Sequence, residues 1–142
     1  MLRKRLRGST RERFSMSGKT IAEKLMLKPG QTFLLLKPPA GYERSLGAMP
    51  RGVKLTTTAS GKVDVVQVFV SSREELQDSL PKLKKVVNPA GMVWVTYPKG
   101  TSGIKADINR DSIRAYAATL GLEAVAIFSV NSDWSALRLK VA

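Results

Sequence analysis

Val63-Asp-Val-Val-Gln-Val-Phe-Val70, followed by Ser72-Arg-Glu-Glu75 and then by Met92-Val-Trp-Val-Thr-Tyr97, decides the fold. The first run is nearly unbroken apolar sequence rich in β-branched residues, the composition of a strand covered on both faces, as in a parallel sheet. Ser72 and Glu75 have S-x-x-E spacing. The serine oxygen accepts a first-turn N–H while the glutamate reaches back, which predicts a helix start worth about 1 kcal/mol. Leu76, Leu80 and Leu83 recur at helical spacing, and Lys82, Lys84 and Lys85 gather where the helix dipole favours cations. Asn88-Pro-Ala-Gly91 breaks this helix, and Met92–Tyr97 is a second buried strand. A strand–helix–strand unit of this kind lays its two strands parallel.

Working back from that unit, Ser60-Gly61 turns the chain into it, and Lys54-Leu-Thr-Thr-Thr58 is a shorter strand, polar enough for a sheet edge. Thr32-Phe-Leu-Leu-Leu-Lys37 is the first buried strand. Pro38-Pro-Ala-Gly41 follows it where a Rossmann-like fold carries its glycine-rich loop, and a helical turn spans Glu43 to Leu46. Thr20-Ile-Ala-Glu23 is a capping box opening a short helix with Ile21, Ala22, Leu25 and Met26 inward, ended by Lys28-Pro-Gly30. Ser17-Gly-Lys-Thr20 imitates the end of a phosphate-binding loop, but the required earlier glycine is Arg13 and no strand precedes it, so that reading is rejected.

Working forward, Pro98-Lys-Gly-Thr-Ser-Gly103 is a loop bearing hydroxyls and a lysine. Asn109 is the N-cap of a helix with Asp111 in its first turn, Ile113, Ala117 and Leu120 as its inner stripe, and Gly121 as its stop. Glu123–Val130 reads as a further buried strand. After the Asn131-Ser-Asp133 turn, Trp134–Val141 alternates apolar and charged residues, which argues an antiparallel last strand in a hairpin with its predecessor. The expected fold class is α/β: a three-layer, Rossmann-like, mostly parallel sheet of about six strands, its last strand antiparallel. Residues 20–142 form one such domain behind a disordered basic arm, residues 1–19.

Composition narrows the chemistry. The 142 residues include no cysteine and no histidine. Disulfides, iron–sulfur clusters, thiol nucleophiles, the usual structural zinc and the usual Ser-His-Asp arrangements are thereby excluded. No carboxylate pair stands at a spacing for general acid–base work, so no catalytic residue, metal ligand or cofactor is assigned. No apolar stretch reaches the roughly 18 residues that span a bilayer, and the expectation is a soluble cytoplasmic protein without membrane contact. Net charge is +13, from 24 Lys and Arg against 11 Asp and Glu. Arg3, Lys4, Arg5, Arg7, Arg11 and Arg13 crowd the arm beside Glu12 alone. They make weak, non-specific nucleic-acid contact the alternative function, with K_d of about 10⁻⁴–10⁻⁶ M.

Several motifs carry a resemblance. Leu25-Met-Leu-Lys-Pro-Gly30, Val63–Val70 and Leu83-Lys-Lys-Val-Val-Asn-Pro-Ala-Gly-Met-Val-Trp-Val95 resemble stretches of class I S-adenosylmethionine-dependent methyltransferases, whose last two strands form an antiparallel hairpin. Lys28-Pro-Gly30, Pro39-Ala-Gly-Tyr42, Trp94-Val-Thr-Tyr-Pro-Lys99 and Asp133-Trp-Ser135 resemble, more closely and over residues 20–141, a family of small bacterial proteins known only as a domain of unknown function. The departures from the methyltransferase pattern matter as much. That family's first loop runs acidic-x-Gly-x-Gly, whereas Lys37-Pro-Pro-Ala-Gly-Tyr42 has two prolines lacking N–H donors. A carboxylate after the second strand usually holds the cofactor's ribose, and Thr56, Thr57 and Thr58 stand there instead.

Ligands of open α/β sheets bind beyond the carboxyl ends of the strands, where the strand order reverses. If the first strand and the Val63 strand are neighbours there, Gly41, Tyr42, Ser71, Lys99, Thr101 and Ser102 are the candidate ligand-binding residues. Lys99 with the hydroxyls and free N–H groups would hold a phosphate or carboxylate. Glu43, Arg44 and the pair Lys105 and Asp107 are weaker candidates, and Trp94 is core. The expected function is a non-catalytic Rossmann-like domain binding a small anionic ligand or a protein partner. An atypical methyltransferase stands beside nucleic-acid association as an alternative.

Overall fold

The computed structural model describes Lys19–Ala142 apart from Ser60. The six arm cations and the Ser60 half of the turn before the Val63 strand lie outside the described residues. The elements in order are helix α1 (Ile21–Lys24), strand β1 (Thr32–Leu36), a 3₁₀ turn (Tyr42–Ser45), β2 (Lys54–Thr56), β3 (Val63–Phe69), α2 (Arg73–Val86), β4 (Val87–Pro98), α3 (Arg110–Thr119), β5 (Leu122–Ser129) and β6 (Trp134–Val141). They build one six-stranded sheet in the order β2-β1-β3-β4-β6-β5. The β2–β1, β1–β3 and β3–β4 pairs are parallel, and β6 runs antiparallel to both β4 and β5. The order reverses between β1 and β3, which places the switch point at Lys37 and Val70.

Period-two alternation sends each strand's side chains to opposite faces. Leu34, Val66, Val68, Val93, Val95, Leu137 and Leu139 meet Leu76, Leu80 and Leu83 of α2 and Ile113 and Ala117 of α3. Phe33, Leu35, Val65, Phe69, Trp94 and Ala136 meet Ala22 and Leu25 around α1, and Tyr42 and Leu46 of the 3₁₀ turn. The second cover is thin, four residues of helix and one short turn. Trp94 is core as expected, its Nε1 donating to the Leu25 carbonyl at 3.1 Å.

Both anticipated helix starts at Thr20 and Asn109 are reciprocal capping boxes. At α2 the box is only half formed. Ser72 Oγ accepts from Glu75 N, but Glu75 Oε1 takes the N–H and hydroxyl of Ser71 instead of the Ser72 N–H. The first helix is shorter than expected, and Met26, with φ of 64°, turns out to 43% exposure while Leu25 is fully buried.

Two larger corrections concern strands. Asn88-Pro-Ala-Gly91 does not separate α2 from the next strand, because β4 starts at Val87 and the quartet is a bulge within it. Val63 pairs with Val87 and Val65 already pairs with Met92. Asp64 pins the bulge, accepting from Asn88 Nδ2 at 2.8 Å and from Thr32 N at 2.9 Å. Gly91 is there for close approach: a Cβ would collide with the Asp64 carbonyl oxygen and lie 2.9 Å from Val87 Cγ2. The second correction is β5, which is not a buried strand. Because β6 inserts between β4 and β5, β5 becomes a sheet edge, with Val125 and Ile127 at 36% and 45% exposure. Edge β2 is expected and observed, at three residues.

Candidate functional site

The site is built where β1, β3 and β4 end. β1 delivers Lys37, which leaves the strand at φ 56° and is exposed. That left-handed conformation costs an L-residue about 1–2 kcal/mol. A following proline restricts Lys37 further, pushing it toward extended backbone. The chain then turns through Pro38, Pro39 and Ala40 to Gly41, whose φ of 80° starts the 3₁₀ turn. Residues 38–44 line a groove of about 400 Å³, with Arg44 at its rim.

Under the groove lies a buried polar chain that the sequence pattern did not single out. Tyr42 OH donates to Gln67 Oε1 at 2.9 Å, and Gln67 Nε2 donates to Thr96 Oγ1 at 3.1 Å. Gln67 and Thr96 are fully buried on adjacent strands, and the Tyr42 ring stands edge-on to Phe69 at 4.7 Å. Burial pushes the Tyr42 phenol up to about 12, partly offset by the Gln67 hydrogen bond. The signal for this chain was one glutamine inside the apolar run from Val65 to Val70.

Next to it, the start of α2 is occupied by the protein's own carboxylates. Glu75 binds Ser71 as described, and Asp107 Oδ1 accepts from Arg73 N at 2.6 Å. The Ser71 backbone hydrogen bond holds the Glu75 carboxyl below its usual value against the opposing effect of burial, with Lys37 adding to the lowering. Asp107 is therefore a helix cap, and no Lys105–Asp107 ion pair forms among the described residues.

The six candidate residues are not one cluster. Gly41 and Tyr42 share the groove segment, with Tyr42 turned down into the core. Ser71 is committed to Glu75. Lys99 lies at the end of β4 but turns from β1, its Nζ donating to Ser129 Oγ at the end of β5. Ser102 Oγ closes a turn onto Ile104 N, and Thr101 is exposed beside it. Lys37 and Glu75 are the residues the sequence reading left out of this neighbourhood, and Asp107, named only as a weaker candidate, is the helix cap. Beyond β2 the described residues Thr57, Thr58 and Ala59 bring no carboxylate.

Residues 52–142 match a family described as "Protein of unknown function (DUF3052)". Solved structures share the fold. A SAM dependent methyltransferase from Aquifex aeolicus aligns with a TM-score of 0.57 and 13% identity, over 84% of this chain and 87% of that one. A TehB-like SAM-dependent methyltransferase from Corynebacterium glutamicum aligns at 0.57 and 10%, over 89% and 91%. Ribosomal protein L11 methylase from Lactobacillus delbrueckii subsp. bulgaricus aligns at 0.55 and 15%, over 84% and 74%. At such identities the likeness is one of fold. No curated protein matches the chain. No helix among the described residues is long and apolar enough to cross a membrane.

Proposed function

Because the chain belongs to the family described as Protein of unknown function (DUF3052) and has a methyltransferase-like Rossmann fold, we propose that it is a non-catalytic binding domain for a small anionic ligand. The ligand would lie in the groove of residues 38–44 against the Lys37 ammonium and the Arg44 guanidinium. The observation that carries this reading is Lys37: an exposed cation held in a left-handed conformation ahead of a proline, at the point where the strand order reverses. Backbone strain of this kind gathers where a side chain must be presented.

An adenosyl cofactor bound in the usual mode does not fit these residues. Pro38 and Pro39 have no N–H to offer it, Tyr42 folds into the core beneath the loop, and β2 ends without a carboxylate for the ribose. The first-loop cation would also face a sulfonium of like charge. A phosphate or carboxylate meets the opposite electrostatics.

Melting curves of the full chain with inorganic phosphate, nucleotides, dicarboxylates, S-adenosylmethionine and S-adenosylhomocysteine test this. A ligand at 100 times its K_d adds about 2.7 kcal/mol. A shift with an anion that disappears in Lys37→Ala is the expected result. A shift with the adenosyl compounds would overturn it in favour of a methyltransferase, and silence across the panel would move the search to a protein partner.

A further inference from the structure

The charge of this protein is partitioned between the two ends of its sheet. Residues 19–142 carry 18 Lys and Arg against 10 Asp and Glu. At the carboxyl end of the parallel strands the two signs balance. Lys37, Arg44, Arg73, Lys99, Lys105 and Arg110 stand there with Glu43, Glu74, Glu75, Asp107, Asp111 and Asp133. The opposite end is different.

Each of the four parallel strands begins beside cations there. Lys54 opens β2, Lys28 and Arg51 precede β1 and β2, Lys62 precedes β3, and Lys84 and Lys85 end α2 just before β4. Hydrogen bonds hold these segments together: the backbone pairs Gly30 N to Arg51 O and Lys54 N to Gln31 O, each at 2.9 Å, and the Lys62 ammonium donating to the Lys85 carbonyl at 2.9 Å. All six side chains are exposed, and none has an ion-pair partner among the described residues. The nearby carboxylates are engaged. Asp64 holds Thr32 N and Asn88, and Glu123 lies 3.7 Å from Lys140.

We infer that this stripe, across the amino ends of β2, β1, β3 and β4, is a docking surface for a nucleic-acid backbone. Four strands at 4.7–4.9 Å spacing make it about 14 Å long. One strand of a duplex presents a phosphate every 3.4 Å of axis, so the stripe is as long as about four phosphates. Every aromatic side chain among the described residues is buried or half-buried, so the stripe offers no exposed platform for base stacking and the contact is to phosphates alone, independent of sequence. The surface is separate from the groove at the other end of the sheet. It also shares no residue with the arm cations at 3–13.

Fluorescence anisotropy of a labelled 20-base-pair duplex with the full chain, titrated across salt, tests the inference. The expected result is a linear fall of log affinity with log salt. The slope should become shallower by about 2 in Lys84→Glu/Lys85→Glu, about one per lysine. The same should hold in Lys28→Glu/Lys54→Glu, with melting temperature unchanged in that pair and lowered by a few degrees in the α2 pair, whose glutamates oppose the helix dipole. Lys105→Glu/Arg110→Glu makes the same change in net charge at the balanced end and should leave the slope in place. Equal losses in all three pairs would overturn the inference in favour of net charge. Total loss on changing Arg3, Lys4, Arg5, Arg7, Arg11 and Arg13 to Gln, with the Lys84/Lys85 pair silent, would overturn it in favour of the arm. Capture by phosphatidylserine vesicles at concentrations where the duplex is not bound would also overturn it, in favour of a membrane surface.

Discussion

Tyr42→Phe should destabilise the protein through a partner it never touches with its ring. The substitution keeps the edge-on packing against Phe69 and removes only the hydroxyl, so the change is the loss of one donor to Gln67 Oε1. Gln67 is fully buried on a central strand, out of contact with bulk solvent. An orphaned buried acceptor costs about 1–3 kcal/mol. For a chain of this size 2 kcal/mol corresponds to a melting temperature lower by about 4–8 °C. Urea unfolding followed by the fluorescence of Trp94 and Trp134 measures it directly. Gln67→Leu should cost as much, since it strands both the Tyr42 hydroxyl and Thr96 Oγ1. The triple change Tyr42→Phe, Gln67→Leu, Thr96→Val removes every member at nearly constant shape. It should recover most of the loss, because an apolar core without polar members has nothing left unpaired. Strong non-additivity is therefore the signature, with a coupling of about 1–3 kcal/mol. Additive single losses, or a Tyr42→Phe cost under about 0.5 kcal/mol, would refute the claim that this chain locks the β1 loop onto the sheet.

Three further outcomes follow from particular geometries. Gly91→Ala places a methyl against the Asp64 carbonyl and the Val87 side chain inside the β4 bulge, and should cost about 3 kcal/mol by urea unfolding, whereas the exposed neighbour Ala90→Ser should be neutral. Lys37→Gly relieves the left-handed strain of about 1–2 kcal/mol, less about 0.5–1 for the looser unfolded chain. It should raise the melting temperature slightly while abolishing any anion-dependent shift, and Lys37→Ala should lose the shift without the gain. The Tyr42 phenol, raised from its ordinary value of 10.0 to about 12 by burial in the fold, favours the folded state fully below pH 10. That stability should be lost as pH climbs from 10 to 12, so the gap between wild type and Tyr42→Phe should narrow over that range. A constant gap would count against the buried phenol.

How much of this was legible in the sequence depended on whether a residue's role was local. Caps, the parallel β3–α2–β4 unit, the antiparallel last strand and the buried Trp94 follow from spacing and alternation, which act over a few residues. The errors came from position in the sheet. Glu123-Ala-Val-Ala-Ile-Phe-Ser-Val130 has the composition of a central strand, yet β6 takes the inner place beside β4 and leaves β5 at the edge. Asn88-Pro-Ala-Gly91 has turn chemistry, yet Asp64, 24 residues from Asn88, holds it as a bulge. For the candidate residues, strand order was legible in the sequence and side-chain direction was not. Which loops meet follows from strand order, but where Lys99 points depends on Ser129, and whether the α2 N-terminus is open depends on Asp107, 34 residues from the N–H it caps. These long-range contacts change what a functional reading can claim. A helix N-terminus at a switch point ordinarily attracts an anion. Here Glu75 and Asp107 already serve as that anion, and of the cations at this end Lys37 and Arg44 belong to the β1 loop while Lys99 is turned to Ser129. Any anion selectivity must therefore come from that loop, which is why Lys37 and not Lys99 is the residue to change first.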